Sequence, residues 1–202
     1  MTRLLLIRHA QPEEDARGRC YGRLDVELSP EGEAAAERLA DGLRAIELDD
    51  VYSSPRRRAV QTASRIGPPR LDERLSEIDF GELEGRTYEE VEREQPELYR
   101  RWMESPTQLR FPGGESWADL RARVANAVAE LLAQNDGATI AVVTHGGVVR
   151  AVLADALGLP DERAFALDVG YARISVVDWF DSTAVVRLVN GVAADLPGAL
   201  GG

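Results

Sequence analysis

The chain has 202 residues, 44% of them hydrophobic and 29% charged, with 24 basic against 35 acidic side chains and a net charge of −11. That length suits one domain with a sizeable core, and the acidic balance argues against bulk binding of nucleic acid. One cysteine excludes an intramolecular disulfide framework and a cysteine-rich zinc site, and two histidines leave little for a multi-histidine metal centre.

Every basic residue is arginine, and the charge is uneven. Residues 1–70 hold 12 Arg and 12 acids, whereas residues 71–202 hold 12 Arg and 23 acids. An anion is therefore better tolerated near the first third than the net charge suggests. The chain starts with four apolar residues, Leu4–Ile7, between arginines, too few for a signal-peptide core. No apolar run approaches the roughly 18–20 residues that cross a bilayer. The expectation is a soluble, cytoplasmic protein.

Leu4–Ile7 reads as a buried strand. Ser29-Pro30 then reads as helix cap and first helical residue, with Ala36, Leu39, Ala40 and Leu43 at helical spacing. Val51–Ser53 is a short strand. Ser54-Pro55 repeats the helix-start signal, with Ala59, Val60, Ala63 and Ile66 on one face and Pro68-Pro69 as the stop. Residues 71–110 are acidic and poor in branched apolar side chains, with short surface helices expected at Thr87–Glu94 and Pro96–Met103. Phe111–Gly114 is a turn. From Ser116 the spacing of Trp117, Leu120, Val124, Val128 and Leu131 predicts a long helix. Ala138–Thr144 is a buried strand and Val148–Leu157 a following helix. Ala172–Phe180 and Ala184–Asn190 read as strands of a hairpin around Asp181–Thr183. Gly198–Gly202 reads as a frayed, disordered tail. With no repeat or linker, strands alternating with helices predict one α/β domain, residues 1–202, around a mostly parallel sheet.

Both histidines follow strands. His9 ends Leu4–Arg8, and His145 ends Ile140–Thr144 before Gly146-Gly147. In open α/β sheets, sites form beyond the carboxyl ends of strands. The two histidines therefore fall on one functional edge. Arg8 disfavours imidazolium at His9, and a neutral imidazole has a lone pair for nucleophilic attack. An arginine fork also suits phosphate. The chemistry this favours is attack on a phosphoryl group.

A wider set of motifs carries a family resemblance. Leu6-Ile7-Arg8-His9-Ala10 resembles the Arg-His-Gly signature of the histidine phosphatase superfamily, the phosphoglycerate mutase-like group. Gly22–Gly32, Tyr52–Ala63, Leu75–Gly81 with Glu84-Gly85, Pro112–Ser116 and Val143–Gly147 resemble its further motifs, in the family's order. The resemblance spans residues 3–150. It implies a three-layer α/β/α sandwich, phosphoglycerate mutase-like, and a catalytic set of His9, Glu77, His145, Arg8 and Arg58.

In that set His9 is the nucleophile that becomes a phosphohistidine. Arg8 and Arg58 bind the phosphoryl oxygens, and His145, as an imidazolium beside Gly146, stabilises the transferring group. Glu77 is general acid to the leaving alcohol and then base to water. Charge alone does not choose it from Glu73, Asp79, Glu82 and Glu84; Glu82 and Glu84 read better as solvated surface acids. Arg56 and Arg57 read as a solvated helix start. The family commonly places a substrate-contacting arginine near Arg19. Ala10 departs from the usual Gly, and Asp15 stands where many members carry Asn.

These residues serve a phosphatase and a mutase alike. In the family this chain resembles, mutases tend to be longer after the acidic motif, so by that resemblance the short, acidic stretch after Gly85 favours a phosphatase for small phosphate monoesters, with no metal and no cofactor. Residues 79–111 are expected to cover the substrate. A cofactor-dependent phosphoglycerate mutase, an α-ribazole-5'-phosphate phosphatase (suggested by the Arg19–Gly22 loop) and a non-catalytic phospho-ligand-binding module are the alternatives. The apolar C-terminal strands leave a homodimer open at the sheet edge.

Overall fold

The computed structural model describes residues 1–181 and 183–200. In chain order it forms β1 (Thr2–Arg8), α1 (Pro30–Leu43), β2 (Asp50–Ser53), α2 (Arg57–Ile66), β3 (Arg70–Leu71), α3 (Tyr88–Glu94), α4 (Pro96–Glu104), α5 (Trp117–Gln134), β4 (Thr139–Thr144), α6 (Gly146–Ala156), β5 (Ile174–Phe180), β6 (Thr183–Gly191) and α7 (Leu196–Leu200). The strands make one six-stranded sheet in the order β3-β2-β4-β1-β5-β6. The first four are parallel to one another, and β5 and β6 add an antiparallel hairpin.

Strand alternation separates the two cores. Leu4 and Leu6 of β1, with Ile140 and Val142 of β4, face α5 and α6. Leu5, Ile7, Ala141 and Val143 face the other way, onto Leu39 and Leu43 of α1 and Ala59 and Ala63 of α2. Helices on both faces make the expected three-layer α/β/α sandwich, and the doubly covered strands explain the unbroken apolar runs. Each fully buried leucine or isoleucine contributes ~1.5–3 kcal/mol through area removed from water. At the far end Asp178 of β5 is buried between Arg3 (2.6 Å) and Arg187 (3.0 Å), tying β1, β5 and β6 together.

The helix cap expected at Ser29 forms, and Thr87 and Ser116 cap α3 and α5. Three local readings change. First, α2 starts at Arg57, not at Ser54-Pro55. Asp25 reaches across from another loop to accept the Arg57 N–H (2.7 Å), which frees Ser54 for a different partner. Second, the strand expected from Ala172 begins at Ile174. Ala172 adopts φ 52°, and its N–H meets the Arg8 and His9 carbonyls at 3.1 and 3.2 Å. Third, the tail expected to fray from Gly198 is helical to Leu200, because Leu196 is fully buried and Leu200 packs on the α1–α2 core. Gly201, Gly202 and Ser182 of the expected hairpin turn lie outside the described residues.

Candidate active site

Because β2, β4 and β1 are adjacent and parallel, their carboxyl ends lie side by side. Each is followed at once by a polar residue: Ser54, His145 and His9. The register pairs Arg8 with Thr144 and sets the imidazole centroids 5.1 Å apart, with planes at 62°. The two histidines do share one sheet edge, and both are buried.

A hydrogen bond fixes the tautomer of His9, and another orients His145. His9 Nδ1 lies 2.7 Å from the Ala10 carbonyl. A carbonyl only accepts, so Nδ1 holds the proton and Nε2 keeps its lone pair. Ala10 N–H in turn donates to Thr62 Oγ1 at 3.0 Å. Ala10 serves without strain, since among the described non-glycine residues only Ala172 and Asn190 have positive φ. His145 Nε2 lies 2.8 Å from Ser54 Oγ. That oxygen also accepts the Arg56 N–H (3.3 Å) and lies 3.5 Å from Ser76 Oγ, so it can either give a proton to Nε2 or receive one from it. His145 Nδ1 is buried and has no partner.

Burial, followed by the charges of Arg58 and Arg8, holds His9 well below the ordinary 6.5. Burial, Arg58, His9 and Arg8 do the same to His145. The imidazolium expected at His145 is therefore not its resting form.

Arg8 Nη1 donates to the Val169 carbonyl (2.6 Å), and its guanidinium carbon sits 3.9 Å from the Tyr171 ring centroid. Arg58 is wholly buried, with Nη1 on the Leu24 carbonyl (2.8 Å) and Nη2 on those of Tyr21 and Gly22 (2.8 and 2.9 Å). Both arginines bury an Nε–H without a partner. Arg58 is thus a strut for the 21–24 loop as well as a cation beside the histidines. The loop can approach because Gly22 has no side chain; a Cβ there would fall 1.8 Å from the Ile78 carbonyl oxygen. The hydroxyls of Tyr21 and Tyr171 meet at 2.7 Å, and the rings stand 6.4 and 5.5 Å from His9. The sequence reading misses both tyrosines. Their position next to Gly22 and Gly170 was the available signal.

The acids differ in position. Glu77 accepts the Gly147 N–H at Oε2 (3.1 Å) and the Ile78 N–H at Oε1 (3.0 Å), which brings it to the start of α6 beside His145. Arg123, also missed in sequence, holds the backbone that carries it. Its Nη1 meets the Arg74 and Ser76 carbonyls (2.8 and 2.7 Å) and its Nη2 that of Glu77 (2.9 Å). Glu115 pairs with Arg123 at 2.7 Å. Burial would raise the Glu115 carboxyl, but Arg123 and the Asp79 N–H outweigh it and keep it below 4.5. Glu73 and Asp79 pair with Arg56 and Arg23. Glu84, expected as a solvated acid, instead accepts three backbone N–H groups, from Arg23, Leu24 and Phe80 at 2.9, 3.1 and 3.0 Å. It stitches the 22–24 loop to the segment after Glu77.

Arg57 is exposed and pairs with Glu27, as a solvated helix start should, whereas Arg56, expected to be solvated as well, is only 20% exposed, pairs with Glu73 and buries its Nε. Arg19 donates to the Asp15 and Gly85 carbonyls (2.8 and 2.9 Å), so its hydrogen bonds join two loops and do not reach the histidines. Asp15 is exposed in a short 3-10 turn. Gly146 is the buried first residue of α6, directly after His145. Burial pushes the Cys20 thiol up to about 12, which leaves it unreactive. Among the described residues no group of three or more His, Cys, Asp or Glu side chains converges as a metal cage, and no helix is long and apolar enough to cross a membrane.

A buried histidine pair flanked by two arginines and a carboxylate, at the carboxyl edge of a three-layer sheet, defines a phosphoryl-handling site. The chain belongs to the Histidine phosphatase superfamily (branch 1), whose profile matches residues 4–191. It is 34% identical to Phosphoserine phosphatase 1 of Hydrogenobacter thermophilus, over 94% of this chain and 92% of that one. Its fold is similar to that of a putative alpha-ribazole-5'-P phosphatase from Escherichia coli (TM-score 0.87, 27% identity, 94% and 96% coverage). A mycobacterial glucosyl-3-phosphoglycerate phosphatase in complex with VO3 is similar too, with TM-score 0.85, 31% identity and coverage of 94% and 98%. The chain is a histidine phosphatase.

Proposed function

We propose that the protein hydrolyses phosphate monoesters of small metabolites through a phosphohistidine on His9. The observation that carries this is the Ala10 carbonyl on His9 Nδ1, which keeps the Nε2 lone pair available in a pocket where burial and two arginines suppress protonation. In the first step Nε2 attacks phosphorus, the bond to the alcohol oxygen breaks, and Glu77 gives that oxygen a proton. In the second step water attacks phosphorus, the N–P bond breaks, and Glu77 takes the proton of the water. The unpartnered Nε–H groups of Arg8 and Arg58 and the Nδ1–H of His145 are donors for the phosphoryl oxygens. The Gly146 N–H at the start of α6 adds a further donor. No step calls for a metal or cofactor. Residues 79–111 cover the alcohol part of the substrate. Which alcohol is bound follows from the side chains of that cover, because relatives with one fold act on different esters.

The test is steady-state turnover of phosphate monoesters in the presence of EDTA, with His9→Ala as control. Turnover that depends on His9 and ignores EDTA is expected. Equal rates in the variant would overturn the reading. Conversion of 3-phosphoglycerate to 2-phosphoglycerate with added 2,3-bisphosphoglycerate, at a rate above hydrolysis, would make the protein a mutase instead.

A further inference from the structure

Beside Glu77 lies a cavity of about 200 Å³, walled by Phe80, Trp102, Phe111, Trp117 and Phe165, with Glu77 and Arg150 at its polar end. The first three aromatics pack on one another, with centroids 4.9–5.6 Å apart. Trp117 meets Phe165 at 5.2 Å, and its buried indole N–H has no acceptor. The walls thus come from the 79–111 segment, from α5 and from the 3-10 turn Asp161–Ala166.

Arg150 is the unusual member. It projects from α6, one turn beyond Gly146, into a largely apolar space. Its Nε donates to the Leu167 carbonyl (3.0 Å) and its guanidinium carbon lies 5.5 Å from the Phe165 ring centroid, but among the described residues its terminal nitrogens have no hydrogen-bond acceptor and no carboxylate within 4.0 Å. Burial disfavours the charged Arg150 guanidinium, and the carboxylates of Glu77 and Asp168, beyond ion-pair distance, offset that only in part; a directly paired anion would stabilise it. A core position would be filled more cheaply by an aliphatic side chain. A Cβ at Gly146 would lie 3.6 Å from the Arg8 guanidinium carbon and 3.1 Å from Arg150 Nη1, so the two arginines come together at the start of α6.

We infer that this cavity holds the alcohol part of the substrate, and that Arg150 binds a second anionic group carried on it. The substrate class is a phosphomonoester with a compact apolar or aromatic body that bears a carboxylate-like group. This rests on the phosphatase reading above, since Glu77 has to face the leaving oxygen at the mouth of the cavity.

The experiment compares kcat/KM for phenyl phosphate and the three carboxyphenyl phosphate isomers in the wild-type protein, Arg150→Met and Arg150→Lys. At least one isomer should be preferred over phenyl phosphate by tenfold or more in the wild type. Arg150→Met should lose at least tenfold more activity on that isomer than on phenyl phosphate, and Arg150→Lys should restore part of the difference. The double ratio cancels leaving-group chemistry and any general damage to the fold. No preferred isomer, or equal losses on both substrates, overturns the inference while the phosphatase reading stands. Equal losses would mean that Arg150 serves the phosphoryl group. Absence of turnover of every ester by the wild type refutes the parent reading, and the inference falls with it.

Discussion

Gly147→Ala isolates the role of Glu77 without touching a charged residue. A Cβ on Gly147 would lie 2.3 Å from Glu77 Oε1 and 3.3 Å from its Cδ. Ordinary contact begins near 3.4 Å, so the carboxylate has to retreat by about 1 Å, a displacement that costs ~10²-fold in a positioned catalytic group. That is ~2.7 kcal/mol of transition-state stabilisation. The same Cβ would lie 3.2 Å from Leu120 Cδ2, a few tenths of an ångström too close, and the preference of a helix for alanine over glycine, ~0.5–1 kcal/mol, offsets that contact. With an alkyl phosphate both steps need Glu77, and kcat should fall about 100-fold. With 4-nitrophenyl phosphate the alcohol departs unaided, so only hydrolysis of the intermediate slows. Stopped-flow absorbance should then show a burst of one nitrophenolate per site. A folded variant that keeps alkyl phosphate turnover within threefold of wild type would refute the assignment of Glu77.

Other consequences follow from the buried polar groups. His9 and His145 are held neutral, so the acid limb of kcat/KM should lie below pH 6.5; a limb at or above that value in the pH–rate profile would contradict the burial argument. The same groups bind more protons when unfolded, so denaturation monitored against pH should show stability falling as pH drops below 6.5. Ser54→Ala removes the hydroxyl beside His145 Nε2 and leaves that buried atom without a partner, so kcat should fall about tenfold and stability by ~1–3 kcal/mol. An unchanged kcat would show that the Ser54 hydroxyl does not position His145. Asp178→Asn strips two arginines of their shared counter-charge and should cost about 3 kcal/mol in urea unfolding. The hydrogen bond from Arg3 holds the Asp178 carboxyl below 3.8, so this stability is present at neutral pH and disappears only as pH falls below that value. Loss of less than 1 kcal/mol would show that the pair is not a strut.

The sheet and the histidine pair were legible because both rest on short-range patterns. Unbroken apolar runs at Leu4–Ile7 and Ile140–Val143 mark strands buried on both faces, and a residue that directly follows such a strand has to emerge at its carboxyl edge. What the sequence hides is who supports whom. Ser54 carries a cap signal, yet its hydroxyl serves His145 because Asp25, 32 residues earlier than Arg57, takes over the cap. Arg123 looks like one more polar position on α5, and only the packing of α5 against residues 74–77 reveals the clamp. Arg19 is similar: a motif position marks it for substrate, and only the fold reveals that its Nε and Nη1 also tie the Asp15 and Gly85 carbonyls together. Charged side chains with several donors choose partners by tertiary proximity, and a linear pattern does not encode that. Two-residue β3 and the 3-10 turn at Asp161–Ala166 are too short to carry a period at all.

The central claim is covalent, and it has a direct measurement. The protein is mixed with a phosphate monoester labelled on phosphorus, quenched within milliseconds in alkali, digested and mapped by mass spectrometry. A phosphate that survives alkali, is lost in acid and sits on the peptide containing His9 is the predicted result, absent in His9→Ala. Turnover at the full rate with no labelled protein, or label on any other residue, would contradict it.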